Sequence, residues 1–225
     1  MTTDTMQAAE PTTVKADNLV SLPPELALAA IDQVIIGVSK DDSRPVLTGV
    51  LVETREGEAS ATFTSADGFR LITVTVNLPG PCVSTRSVIL DARTLKATLP
   101  AIKAAIKAQR FDPDARIVIR HAAGSASVDT GASTMQVPVI DGTYPNYQAL
   151  IPTLDTLDKH AGSKIAMNGA LIGEVFERAA KYAGSGIVRM RVQDTSAPVR
   201  LDWQNEINDP TWTGIAVIMP MFVKW

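Results

Sequence analysis

The chain is short of the residues that build stapled or metal-held folds: one cysteine, two histidines and 5% aromatics in 225 residues. A lone Cys82 forbids an intrachain disulfide, and with only His121 and His160 beside it no structural zinc can be assembled. No run of about 18 apolar residues occurs, which excludes a membrane-spanning helix. Residues 1–17 also lack the basic-then-apolar order of a signal peptide, so a cytoplasmic protein is expected. Excess positive charge is missing too. A net charge of −3 argues against a protein that coats nucleic acid through overall charge, and any such contact must come from a local basic surface.

Catalytic signatures are absent as well. There is no Gly-x-x-x-x-Gly-Lys-Ser/Thr loop, no Gly-x-Ser-x-Gly elbow and no His-Glu-x-x-His helix, so phosphate cradles, nucleophile elbows and zinc proteases lack their minimum parts. Acidic pairs such as Asp41-Asp42 read as turn or surface residues. No catalytic residue, cofactor or metal is assigned, and the chain is expected not to be an enzyme.

What is there is an ordinary globular balance, 45% hydrophobic and 20% charged, enough for a sizeable core. Residues 1–17 carry no apolar period and read as a disordered tail. Beyond them one pattern recurs three times at a period of about 70 residues: a short apolar strand, a helix start, an amphipathic helix, then alternating strands. The first copy opens at Leu19-Val20, passes Pro23-Pro24 into a helix near Glu25–Val38, and continues as strands at Val46–Glu53, Ala61–Thr64 and Leu71–Val76.

The second copy opens at Ser87–Leu90, caps at Asp91, runs a helix to about Arg110 and continues at Arg116–Arg120, Ser125–Thr130 and Thr134–Ile140. Pro100 should kink that helix or restart it. The third opens at Lys164–Ala166, caps at Asn168, and carries Leu171, Ile172, Val175, Ala179 and Tyr182 on one stripe that stops at Gly184. Its strands are Ile187–Val192, Val199–Trp203 and an apolar closing strand at Gly214–Met221. Strands grouped behind single helices predict an α+β fold of repeated βαβββ units, antiparallel-rich sheets with helices on one face.

On the second helix Lys96, Lys103, Lys107 and Arg110 follow at spacings of seven, four and three, one narrow stripe beside the apolar stripe of Leu95, Leu99, Ile102 and Ile106. Such a stripe is either a solvated helix face or a surface that meets phosphates without reading bases.

Four motifs are more specific. Arg44-Pro45-Val46-Leu47-Thr48-Gly49-Val50-Leu51-Val52-Glu53, then Ser65-Ala66-Asp67-Gly68-Phe69-Arg70-Leu71, then Gly142-Thr143-Tyr144-Pro145-Asn146-Tyr147 ending in Leu150-Ile151-Pro152, then Val217-Ile218-Met219-Pro220-Met221 resemble, in order, signatures of the bacterial sliding clamp, the DNA polymerase III beta subunit. The resemblance implies a DNA-clamp fold. It makes residues 18–152 a middle-like domain of two repeats and residues 153–225 a partial C-terminal-like domain, in which the first repeat's helix and strands join directly to the family's closing strand.

Family helices line a hole that holds duplex DNA, and adjacent subunits join edge to edge. The resemblance therefore implies sequence-independent DNA contact through Lys96, Lys103, Lys107 and Arg110. It also implies a peptide cleft that takes short hydrophobic motifs of a DNA polymerase and a clamp loader, lined by Leu47, Gly68, Phe69, Arg70, Leu71, Pro145, Leu150, Val217, Met219, Pro220 and Met221. Met and Leu suit such a task as adaptable apolar surface. Arg70 points either to DNA or to the cleft. Family rings hold twelve repeats, so three per chain imply a homo-oligomer of four copies closed head to tail, a DNA replication processivity factor. The other expectation is a regulator or decoy that binds clamp-motif peptides without encircling DNA.

Overall fold

The computed structural model describes residues 17–109, 112–122, 124–153, 165–184, 186–193, 196–206 and 210–221. The expected tail over residues 1–16, Arg110 and residues 222–225 lie outside the described residues. Strand β1 (Asp17–Leu22) leads into helix α1 (Pro24–Val34), whose first turn holds Pro24 where a backbone N–H would have no helical partner. A 3-10 turn at Ile35–Gly37 ends the helix short of Val38. The strand expected from Val46 starts later: Pro45 opens a 3-10 turn over Pro45–Thr48, closed by Leu47 N donating to Arg44 O at 2.9 Å, before β2 (Gly49–Thr54) begins. β3 (Ser60–Ala66) and β4 (Arg70–Asn77) complete the first unit.

The second unit is β5 (Arg86–Asp91), α2 (Ala92–Ala97), α3 (Leu99–Ala108), β6 (Ile117–Ala122), β7 (Ser125–Asp129) and β8 (Thr134–Pro138). Asp91 caps α2 as its side chain accepts from Thr94 N at 2.7 Å. The expected interruption falls at Thr98, whose N–H and hydroxyl both turn back to Leu95 O, so that Pro100 sits in the first turn of α3.

In the third unit Asn168 accepts from Ala170 N and Leu171 N to start α4 (Gly169–Tyr182), and β9 (Arg189–Arg191), β10 (Val199–Gln204) and β11 (Trp212–Ile218) follow as a meander. The opening strand expected at Lys164–Ala166 does not form over Ile165 and Ala166; Lys164 lies outside the described residues.

Among the described residues two antiparallel sheets result. One runs β1-β6-β7-β8 and the other β5-β2-β3-β4-β11-β10-β9. The first two units exchange opening strands, β1 pairing with β6 and β5 with β2, while β11 pairs along the full length of β4 and carries the third unit onto the first unit's sheet. Strict alternation gives the larger sheet two apolar faces. Val50, Val52, Ile72, Val74, Val88, Leu90, Ala216 and Ile218 lie on the side of the helices, β11 against α4, whereas Leu51, Leu71, Ile89 and Val217 face away and are covered by Ile140, Tyr144, Tyr147 and Ile151.

Side-chain links hold the third unit to α1. Trp203 Nε1 donates to Gln33 Oε1, and Gln33 Nε2 donates to Ala29 O at 2.7 Å. Gly214 is cross-strand from Trp203; a Cβ there would lie 2.4 Å from the indole, so glycine is what lets the ring lie across β11. Asp32 of α1 accepts from Arg178 at 2.9 Å, Lys181 at 2.8 Å and the Tyr182 hydroxyl. Burial alone would raise its carboxyl, but the donors Lys181 and Tyr182 and the charges of Arg178 and Lys181 outweigh that and hold it below the ordinary range.

Candidate binding surfaces

The face of the larger sheet that points away from the helices carries the first surface. Leu71 pairs with Val217 across β4 and β11, and the two form a buried floor with Leu51, Ile89 and Tyr147. Beyond the strand ends the ladder continues by one bond, Met219 N donating to Phe69 O at 3.1 Å. Phe69 is 67% exposed and Met219 46%; both continue the outward alternation of Leu71 and Val217. Phe69 is presented by a tight turn in which Asp67 Oδ1 accepts from Phe69 N and Arg70 N, and Gly68 supplies φ +91°. Met221 N donates to Ala166 O at 2.7 Å and fixes the closing motif beside the start of the third unit.

A wall is added by residues 147–152. The Tyr147 hydroxyl donates to Glu53 on β2, and at the other end Pro152 O accepts from Arg200 Nη1 at 2.9 Å on β10, so the segment crosses the sheet over the β4–β11 seam. Burial, and then the bond to Glu53, push the Tyr147 phenol up to about 12. Leu150 stands exposed on this wall. The structure thus brings Gly68, Phe69, Leu71, Leu150, Val217, Met219, Pro220 and Met221 into one neighbourhood, with exposed apolar side chains over a buried apolar floor.

Two of the expected lining residues lie beside that neighbourhood. Pro145 lines a recess of about 720 Å³ with Ile140 and Tyr144 on the β2–β5 side, which meets the floor at Leu51, Ile89 and Tyr147. Leu47 is buried in its 3-10 turn. By alternation Arg70 points to the helix side, opposite Leu71, where its guanidinium pairs with Asp67 at 3.0 Å and with Glu174 of α4, and only 8% of the side chain is exposed.

The helix side is the second surface. Lys96, Lys103 and Lys107 are all exposed on α2 and α3, above buried Leu95, Leu99 and Ile102. A cleft of about 620 Å³ adjoins Lys96 and is lined by Lys40, Asp42, Arg93, Arg70, Glu174 and Arg178, among others. Lys40 and Arg93 were not singled out from the sequence. Arg93 precedes Lys96 by three residues and so shares its helix face, while Lys40 arrives from a loop with no periodic signal. Arg178 and Lys181 spend their charge on Asp32. The cationic surface is therefore narrow. Among the described residues no cluster of His, Cys, Asp and Glu is arranged to hold a metal, and no helix is long and apolar enough to cross a membrane.

Comparison with known proteins gives a consistent result. The family model described as the DNA polymerase III beta subunit, central domain, matches residues 21–146. The curated beta sliding clamp of Micrococcus luteus is 30% identical over 125 residues, which are 55% of this chain and 37% of that protein. Among solved structures, the DNA polymerase III beta subunit of Thermotoga maritima matches with a TM-score of 0.69 and 16% identity, over 97% of this chain and 69% of that one. The sliding clamp of Pseudomonas aeruginosa bound to griselimycin matches with a TM-score of 0.64 and 17% identity, over 95% and 68%. At these identities the structural likeness speaks for the fold.

Proposed function

Because the chain belongs to the family of the DNA polymerase III beta subunit, matched through its central domain, we propose that it acts as a sliding-clamp-like tether that encircles or cradles duplex DNA and holds short hydrophobic motifs of partner proteins. The observation that carries this reading is the β4–β11 seam, which sets exposed Phe69 and Met219 side by side over the Leu71–Val217 floor. A flexible methionine and a rigid aromatic ring over a preformed apolar floor suit several different short peptides. The partners are then a DNA polymerase and a clamp loader, in a cytoplasmic setting, and the residues that bind are Phe69, Leu71, Leu150, Val217, Met219, Pro220 and Met221.

DNA contact falls to Lys96, Lys103 and Lys107, joined by Lys40 and Arg93. Contacts of this kind reach phosphates and leave base identity unread. No chemistry is assigned to any residue, since the reading requires only binding.

One observation favours a second reading, a non-encircling regulator that captures clamp-motif peptides. Arg70, Arg178 and Lys181 on the helix side are already paired with carboxylates, so the surface offered to phosphates is thin. The two readings separate in one experiment. Both expect a labelled clamp-motif peptide to bind, with Phe69→Asp weakening it at least tenfold. Only the tether is retained on circular plasmid after loading and released when the plasmid is cut. Absence of peptide binding would sink both.

A further inference from the structure

The outer face of the larger sheet changes character beyond the seam. The registers across β4, β11, β10 and β9 place Leu71, Val217, Arg200 and Arg191 in one row, and Thr73, Ile215, Asp202 and Arg189 in the next. Residues directly opposite one another share a face, so the apolar floor of the cleft runs without interruption into a patch of guanidiniums. On β9 and β10 this face carries three arginines, Arg189, Arg191 and Arg200, against one carboxylate, Asp202. Positive charge is in excess here, on a chain whose net charge is −3.

Strand pairing alone does not call for that arrangement. Arg191 stands directly opposite Arg200, and like charges so placed oppose pairing. Asp202 relieves part of this by accepting from Arg191 and from Arg200, whose Nε lies at 2.9 Å and Nη2 at 2.7 Å. Arg200 also holds the wall through Pro152 O, and its side chain is only 13% exposed. Arg191 keeps 28% of its side chain exposed, and Arg189 is exposed with one long bond of 3.4 Å to the neutral Gln204. With Thr213 and Ile215 the three guanidiniums line a recess of about 250 Å³.

On the opposite flank of the floor the charges have the other sign. Glu53 accepts from Tyr147, and the exposed Asp141 lines the recess beside Pro145. Arg55, on the same flank, is paired with Glu58. A peptide lying over the seam therefore meets carboxylates towards β2 and guanidiniums towards β9.

We infer that the cleft selects partner segments in which acidic residues flank the hydrophobic motif on one side, that side lying over β10 and β9 with a carboxylate in the recess beside Arg189 and Arg191. This rests on the peptide-cleft reading and adds to it the charge and the orientation of the peptide. Strands lie about 4.8 Å apart, so β9 is about 10 Å from β11, and an extended peptide advances about 3.3 Å per residue. The acidic residue accordingly stands about three positions from the side chain that fills the floor. There its carboxylate accepts charge-assisted bonds from guanidiniums that Asp202 alone does not neutralise.

The test measures binding of the full chain by fluorescence anisotropy, with labelled synthetic peptides that share one clamp-binding hydrophobic motif. They differ in a block of three aspartates, serines or lysines, placed either before or after the motif. At one end of the motif and not at the other, the aspartate block is expected to tighten binding about fivefold over serine and the lysine block to weaken it, the gain fading as salt rises. Arg189→Glu with Arg191→Glu is expected to reverse that order, so that the lysine block binds more tightly than the aspartate block; a merely structural role would weaken all peptides alike. Should that double variant lose its circular dichroism spectrum, Arg189→Gln takes its place and is expected to lower the aspartate-to-serine ratio about twofold. Equal affinity for aspartate and serine blocks, an equal gain at both ends, or an order that the charge reversal leaves unchanged overturns the proposal and leaves the cleft standing. Failure of every peptide to bind overturns the cleft reading, and this proposal with it.

Discussion

Asp32→Ala should loosen the third unit from the first, and the size of the loss can be worked from the site. The Asp32 side chain is 7% exposed and accepts from Arg178, Lys181 and Tyr182. Loss of the acceptor for the part-buried Tyr182 hydroxyl, together with the packing of the carboxyl itself, costs about 1–3 kcal/mol. The Lys181 pair, with that side chain half exposed, adds no more than about 0.5 kcal/mol after solvent screening, and the Arg178 pair about 1 kcal/mol. The expected loss is about 2–4 kcal/mol by urea unfolding, or roughly 5–15 °C in Tm for a chain of this length.

The pH dependence has a definite sign. A carboxyl held below its ordinary value contributes stability above the unfolded value of about 3.9, and that contribution is lost as pH falls through the folded value. Variant and parent should therefore differ fully at pH 7 and converge below about pH 4. Asp32→Asn, which keeps an acceptor for Tyr182, should lose less. A difference under about 0.5 kcal/mol at pH 7, or one that grows towards acid, would refute the reasoning.

Other expectations follow from the same interactions. All three tyrosines are raised, Tyr147 to about 12 and Tyr144 and Tyr182 further, each first by burial. Their contribution is complete below the unfolded value of about 10 and is lost as pH rises beyond it, so the folded chain should show no tyrosinate absorbance step near pH 10. Gly214→Ala should cost about 1–3 kcal/mol by driving a methyl into the Trp203 ring; unchanged stability would mean that the indole moves aside freely. Replacing Lys96, Lys103 and Lys107 by Ala one at a time should flatten the salt dependence of DNA binding by about 0.9 in log–log slope for each phosphate left without its lysine; an unaltered slope removes that lysine from the interface.

Local signals were the ones readable from the chain. Asp91 and Asn168 were legible as caps because a cap is decided within four residues, and the buried Leu95, Leu99 and Ile102 because helical period needs no distant partner. The start of β2 is less legible: a strand is expected from Val46, but Pro45 opens a 3-10 turn that delays it to Gly49. Strand pairing was another matter. That β11 should lie against β4, more than 130 residues earlier in the chain, depends on which apolar edges meet and leaves no mark on either segment.

The fate of Arg70 shows the same limit. Its place beside Leu71 was clear, and alternation alone puts the two on opposite faces, yet Glu174 is the partner that fixes the guanidinium and it belongs to another unit. Residues 165–167 have strand composition without strand pairing, since a strand is a property of two segments. Asp32, the carboxylate that takes three donors from α4, carried no signal beyond being an acid on an apolar helix face.

The proposed tether depends most directly on partner peptides binding at the seam between β4 and β11. Amide hydrogen exchange of the full chain, with and without a saturating clamp-motif peptide, reads this residue by residue. Added protection confined to residues 66–71, 147–152 and 217–221, with residues 92–108 unchanged, is the predicted result. Protection on the helices alone, or none at the seam at a peptide concentration that saturates binding, would contradict it.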